Sequence, residues 1–264
     1  DKYIEVYRRH QGTFKPPSPY LDKHPGYLAS PRTFSSIDWI TDHAAILWAA
    51  ANHGLITMDR DFLKRWEPAI VKACEFIKEA RRNKRHKGYK GILPSAVAND
   101  SDSASQTGWN DAWHHKALKT AAILLQRIGN RRGAEFSKEA EDYRRAFQKA
   151  YRDVIAKSKK WKAPDGTMVP FTPPTLSESK GFEAAHAFNL DTGACMFVFG
   201  ELFPASDPIM RASLRWLREG GFEWKNAPTW FGDLSIAARY DEQTAQSNKR
   251  NGRFVGQAAR LPLL

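Results

Sequence analysis

Apolar residues recur along this chain with the period of an α-helix, and they do so in couplets. Between Ile37 and Ile56, the residues Ile40, Ala44, Leu47, Trp48, Ala51 and Leu55 fall at helical spacing with few charges after His43, the pattern of a helix buried on most sides. A short Thr57-Met58-Asp59 link follows. From Asp61 to Asn83, Phe62, Trp66, Ile70, Ala73, Cys74 and Ile77 are set against Lys64, Arg65, Lys72, Lys78 and Glu79, which predicts an amphipathic outer helix. The couplet then returns. Asp111 to Ile128 is rich in Ala and Leu and stops at Gly129, while Ala134 to Ile155 carries Phe136, Ala140, Tyr143, Phe147 and Tyr151 on one face and charge on the other. A third pair runs from Asp191 to Phe203, breaks at Pro204, and continues from Asp207 to Arg218. The expectation is an all-α chain built of antiparallel helical hairpins.

The joints between these helices are unequal. Links from inner to outer helix are a few residues long, whereas Lys84 to Asn110 and Ser158 to Leu190 are long, aromatic and rich in Gly, Pro, Ser and Asp. Long loops in a compact domain are commonly functional. Because the helices alternate in direction, the long loops are expected at one end, where the inner helices begin. Each inner helix also opens on a related patch: Asp38-Trp39-Ile40-Thr41-Asp42, Trp109-Asn110-Asp111-Ala112-Trp113 and Phe188-Asn189-Leu190-Asp191-Thr192. The aspartates at 42, 111 and 191 thus recur at roughly 70- to 80-residue intervals, as repeated supersecondary units do. Helix capping is the competing explanation for each of them.

Several of these pieces, in this order, resemble the six-hairpin glycosidase superfamily: Trp39-(x)2-Asp42, the run Trp48-Ala49-Ala50-Ala51-Asn52-His53, the Gly91-Ile92-Leu93-Pro94 loop, and Trp109-Asn110-Asp111-Ala112-Trp113 followed by Ala117-Leu118-(x)2-Ala121-Ala122 and Gly129. The similarity runs from about Pro25 to about Trp216. It implies a complete or partial (α/α)6 toroid whose central funnel binds glycan, with paired carboxyl groups acting as general acid and general base in an inverting hydrolysis. Three hairpins are half of such a toroid, so the resemblance also implies a larger parent chain. The expected organisation is an N-terminal loop segment over 1–36, a helical-hairpin toroid domain over 37–234, and an irregular basic tail over 235–264.

Acid/base hydrolysis of this kind sets two carboxyls about 6.5 to 9.5 Å apart. Asp102 or Asp111 is the expected acid and Glu183 the expected base, all on the loop-bearing face; a solvated turn is the alternative for Asp102. Trp39, Trp109, Trp113 and Trp230 offer ring faces on which a sugar stacks, against an alternative role as core plugs. Asp42, Asn110, His114, His186 and Asp191 complete the expected substrate-binding set. Asn99-Asp100-Ser101-Asp102-Ser103 has alternating oxygen ligands but lacks the Gly and Glu of a calcium loop, and His114-His115 point about 100° apart on a helix, so no metal and no cofactor is expected. His186 with Asn189 resembles the Asn/His sets of α/α-toroid polysaccharide lyases, which keeps a lyase or hydrolase of an acidic, uronate-containing glycan as the alternative. A non-catalytic helical-repeat binding module is the third reading.

Charge changes the picture in one respect. The formal net charge is +12 with pI near 9.7, which attracts nucleic acid, anionic glycans or an acidic membrane surface; the resemblance implies a carbohydrate partner, with neutral or deoxy sugars the first expectation, the charge favours the acidic-glycan alternative, and nucleic acid is not expected. Basic runs at Arg81, Arg82, Lys84, Arg85 and Lys87 and at Lys157, Lys159, Lys160 and Lys162 are expected at solvated helix ends, where cations complement the helix dipole. Cys74 and Cys195 are too few for a disulfide framework, and no apolar run reaches the roughly 20 residues of a membrane span, so no membrane partner is expected.

Overall fold

The structure, a computed structural model, describes residues 2–29, 38–98, 104–177 and 194–219. It opens on a short helix α1 (Lys2–Arg9). The first predicted couplet is α2 (Thr41–Thr57) and α3 (Arg60–Arg81). The turn between them works because Met58 adopts a left-handed φ of 49° and returns its N–H to Gly54 O, while the Asp59 carboxylate accepts from Asp61 N at 2.9 Å and Phe62 N at 3.1 Å. Two short strands, β1 (Ala96–Val97) and β2 (Ala104–Thr107), lead into the second couplet, α4 (Gly108–Arg127) and α5 (Arg132–Lys157). A hairpin of β3 (Lys160–Lys162) and β4 (Met168–Pro170), then β5 (Thr175–Ser177), precede α6 (Ala194–Phe199) and α7 (Pro208–Glu219).

The described chain is therefore helix-rich, as its periodicity predicts, but the long joints are partly ordered as strands. β2 pairs antiparallel with β1 (Ala96↔Ser105) and with β5 (Gln106↔Ser177, Thr107↔Thr175), with a register shift between Gln106 and Thr107. These strands are two to four residues long, too short for an alternating pattern to stand out in the sequence.

Helices α2, α4 and α6 form an inner layer, with α4 packed against both of the others; α3 lies behind α2, and α5 behind α4. Helices α2 and α4 run parallel and in step. The His43 and His114 rings stack at 5.6 Å near their starts, and a Cβ placed on Gly54 near the end of α2 would sit 2.9 Å from Leu124. Equivalent positions are thus roughly 70 residues apart, matching the recurrence of Asp42 and Asp111. Between α4 and α6 the match is different: Gly200 lies against the Ala112 backbone, 2.7 Å from where its own Cβ would be. The third aspartate, Asp191, is outside the described residues.

One apolar core runs from Leu21, Tyr27 and Leu28 through α2–α5 to Phe203 and Met210. The N-terminal segment is stitched into it rather than set apart. Val97 N donates to Pro17 O, Ser18 Oγ to Ser95 O, and Gln11 Nε2 to Gly26 O and Ala69 O. A satellite cluster of Trp161, Val169 and Trp216 fixes the β3–β4 hairpin on α7. Among the described residues no helix is long and apolar enough to cross a membrane.

Gly108 opens α4 where the buried Phe197 ring leaves no room for a side chain. Gly108→Ala is expected to lower stability by about 1–3 kcal/mol, the usual cost of overpacking a rigid core; a thermal melt showing no loss would place Phe197 elsewhere.

Candidate functional site

The parallel course of α2 and α4 brings two predicted patches together at one end of the inner layer. Trp39 and Asp42 lie at the start of α2; Trp109, Asn110, Asp111, Trp113 and His114 occupy the first two turns of α4. Asp102, Glu183, His186, Asp191 and Trp230 lie outside the described residues. Neither described aspartate is a helix cap. The residue at the cap of α2 is Ile40, with no side-chain cap bond, and α4 is capped by Thr107 Oγ1 accepting from Asn110 N at 3.3 Å.

Asp111 is fully buried and occupied by the scaffold. Its Oδ1 accepts from Tyr143 Oη of α5 at 2.6 Å and from Leu93 N at 3.1 Å, while its Oδ2 has no partner. Arg81, at the end of α3, lies 4.2 Å from the Tyr143 ring centroid, donates to Gly91 O at 2.8 Å and pairs with Glu139 and Asp142 of α5. Gly91 has a φ of 80°, open to glycine. The Gly91-Ile92-Leu93-Pro94 loop is thereby clamped between α3, α4 and α5. Gln106 Nε2 adds a bond to Leu93 O at 2.7 Å. Burial pushes the Asp111 carboxyl up to about 7, against the lowering effect of its two donors, so at neutral pH a proton resides on it much of the time. Asp111 thus holds the site's frame, fully buried against α5 and the Gly91-Ile92-Leu93-Pro94 loop.

Asp42 is different. It is half-buried, and burial together with the neighbouring Asp38 raises its carboxyl to about 6. A carboxyl in that range gives up and regains a proton near neutrality, as a general acid must. At the same end, Asn110 is 1% exposed, yet among the described residues neither its Oδ1 nor its Nδ2 has a partner, and the Nε1 atoms of Trp39, Trp109 and Trp113 likewise have none there. Buried polar groups are ordinarily satisfied.

Below these groups lies a floor of half-buried rings. Trp113 of α4 meets Trp48 of α2 at 5.9 Å, Phe199 of α6 at 4.9 Å and Trp109 at 6.2 Å. Trp48 and Phe199 belong to helices on opposite flanks of α4, yet they are 6.0 Å apart. Rings from all three inner helices therefore meet on one side of α4. Lys116 lies 5.7 Å from the Phe199 ring and, with Lys119, bonds Glu201; burial acts to raise that carboxyl, but the two lysines hold it down at about 2. Sequence reading named Trp109 and Trp113 but missed Trp48, Phe199 and Lys116, because contacts across three helices leave no trace in local spacing.

The two adjacent histidines serve the frame. His114 Nδ1 bonds Asn110 O at 2.7 Å and His115 Nδ1 bonds Gly200 O at 2.5 Å, and burial lowers both rings to about 4. His43, pushed well below its ordinary value by burial and by His114, accepts from Leu28 N at 2.9 Å, so Tyr27, His43 and His114 make a neutral ring stack from the N-terminal segment to α4. No group of three or more metal-ligating side chains gathers among the described residues. No protein-family model matches this chain, and no curated protein matches it.

Asp111 gives a stability prediction with a definite sign. Between about pH 4 and pH 7 the folded carboxyl keeps a proton that the unfolded one has released. Its contribution is therefore greatest in acid, falls as pH rises through that window and is flat above about 7. Asp111→Asn is expected to remove that dependence from a urea-denaturation series, and Asp111→Ala, which strands Tyr143 Oη and Leu93 N, to cost about 2–5 kcal/mol in acid and less as pH rises through the same window. Identical pH profiles for wild type and Asp111→Asn would contradict a buried, protonated carboxyl.

Proposed function

We propose that this chain is a carbohydrate-active enzyme of the glycosidase class, built as part of an (α/α)6 toroid, that holds glycan at the end where α2 and α4 begin. The observation that carries the reading is the ring floor of Trp48, Trp109, Trp113 and Phe199, drawn from three inner helices, beneath unpartnered buried polar groups and a carboxyl raised to about 6. Sugar C–H faces stack on such rings while hydroxyls, each both donor and acceptor, satisfy indole N–H and amide groups. The alternation of inner and outer helices, with rings from three inner helices meeting on one side, supports the toroid.

In this reading Asp42 is the described carboxyl suited to hold and deliver a proton, and Asp102 and Glu183 are the candidates for the second role. Asp111 positions the loop and the start of α4 without touching substrate. Hydrolysis needs water as the second reactant and no cofactor: the acid protonates the leaving oxygen as the glycosidic bond breaks, and the partner carboxylate takes a proton from the attacking water.

Binding and turnover across a panel of neutral and uronate-containing oligosaccharides test the proposal. Turnover is expected to fall by about 10²–10⁴-fold in Asp42→Asn, and Trp113→Ala is expected to weaken substrate binding with folding intact. Absence of both binding and turnover across the panel would overturn the glycosidase reading in favour of a helical interaction module.

A further inference from the structure

Each of the two basic runs begins in the last turn of an outer helix, Arg81 in α3 and Lys157 in α5, and continues past the helix end. Helix α3 ends at Arg81 and α5 at Lys157, so Lys84–Lys90 and Lys159–Lys162 lie beyond the helices and outside the reach of the terminal dipole. The fold instead joins the two runs. Tyr89 Oη donates to Asp153 Oδ2 at 2.6 Å, and Lys157 Nζ donates to the same oxygen at 2.5 Å. Beyond that junction, Lys160 and Lys162 project outward from β3, because Trp161 between them is buried against Trp216 at 5.1 Å. A strand fixes both ammonium groups on one face. Lys84, Lys159, Lys160 and Lys162 are all exposed and form no ion pair among the described residues.

Both runs follow the ends of outer helices. Those helices are antiparallel to their inner partners, so the cations gather at the end of the molecule where α2 and α4 begin, beside the proposed sugar floor. We propose that the Lys84–Lys90 and Lys157–Lys162 stretches form one cationic docking surface for an acidic polysaccharide, a polymer bearing a carboxylate on most of its sugars. The proposal rests on the carbohydrate reading of the neighbouring site and gives that site its substrate class. Repeated anions along a polymer suit the exposed ammonium groups of Lys84, Lys159, Lys160 and Lys162, which form no ion pair among the described residues and whose attraction for an anion falls with salt. A single-stranded nucleic acid, by contrast, needs stacking platforms as well as charge. Among the described residues the exposed large apolar side chains are Tyr3, Ile56, Met58, Ile123, Met168 and Leu214, and the one ring in that set is on α1.

The test compares the 264-residue chain with a Lys84→Gln, Lys159→Gln, Lys160→Gln, Lys162→Gln variant, whose four sites are exposed and whose thermal melt is expected to be unchanged. Binding is measured by titration calorimetry to oligogalacturonate, to the same oligomer with its carboxyls methyl-esterified, and to duplex DNA at equal charge concentration, over a salt series. The expected results are that the free acid binds at least about tenfold more tightly than its ester at low salt, that the advantage shrinks as salt rises, and that the variant loses at least about tenfold of affinity for the acid alone. Unchanged affinity in the variant, or tighter binding to DNA than to oligogalacturonate, would overturn the proposal. Charge-dependent binding without turnover on any glycan sinks the glycosidase reading and leaves the docking surface standing. Turnover that ignores both esterification and the four lysines does the reverse.

Discussion

The carboxyl of Asp111 is the point on which the arrangement turns. A fully buried group in the first turn of α4 accepts from Tyr143 on α5 and from the backbone of the Gly91–Pro94 loop, so one residue fixes two helices and a loop in mutual register. The cost of burying it is met by neutralising it: with the carboxyl raised to about 7, Oδ1 remains an acceptor and little bare charge is buried. Arg81 takes the complementary part, lying over the Tyr143 ring and carrying its charge out to Glu139 and Asp142. The loop held in this way presents Leu93 O to Gln106, and Gln106 belongs to the strand that ends in Thr107, the cap of α4. The frame closes on itself. The direction in which Trp109, Asn110 and Trp113 leave α4 follows from it.

That closure explains what was legible in the sequence. The hairpins could be read because burial imposes a period on two full helical couplets, and the predicted limits of α2–α5 stand within a few residues of the observed ones. The recurrence of Asp42 and Asp111 was equally legible and matches the stacking of α2 on α4. What spacing could not supply was the difference between the two aspartates. Asp111 faces α5 and a loop that together enclose it; Asp42 faces the end of the inner layer and stays half-buried. Both look alike in one dimension, and both resemble helix caps, yet the caps are formed otherwise. The strands were hidden for another reason: β2 owes its pairing to partners at 96–97 and 175–177, residues whose proximity is a product of the fold rather than a local preference.

The basic runs show the same limit. Read in sequence, they are decorations at helix ends; in the structure a tyrosine from one loop and a lysine from a distant helix share one aspartate oxygen, and a buried tryptophan turns its two neighbours outward. An ion pair at the surface contributes little to stability, so the lysines that remain without carboxylate partners are better understood through what approaches the protein than through what holds it together.

The unpartnered groups at the start of α2 and α4 argue in the same direction. Each buried donor or acceptor left without a hydrogen bond costs about 1–3 kcal/mol, and Asn110, Trp39, Trp109 and Trp113 together leave five such atoms within the first turns of two adjacent helices. The frame around Asp111 is bonded at Oδ1 and the histidine stack at the two Nδ1 atoms, through Leu28 N and Asn110 O, while Asp111 Oδ2 and the Nε2 atoms of His43 and His114 have no hydrogen-bond partner among the described residues. At the start of α2 and α4 the unpartnered atoms lie beside half-buried rings and the raised carboxyl of Asp42. A hydroxyl-rich ligand lying on that floor supplies an acceptor to each indole N–H and both partners to the amide, which recovers the desolvation already incurred in the free protein. In the proposed carbohydrate reading the site is preorganised for a sugar as the Asp111 cluster is for the fold, with the difference that the fold supplies its own partners.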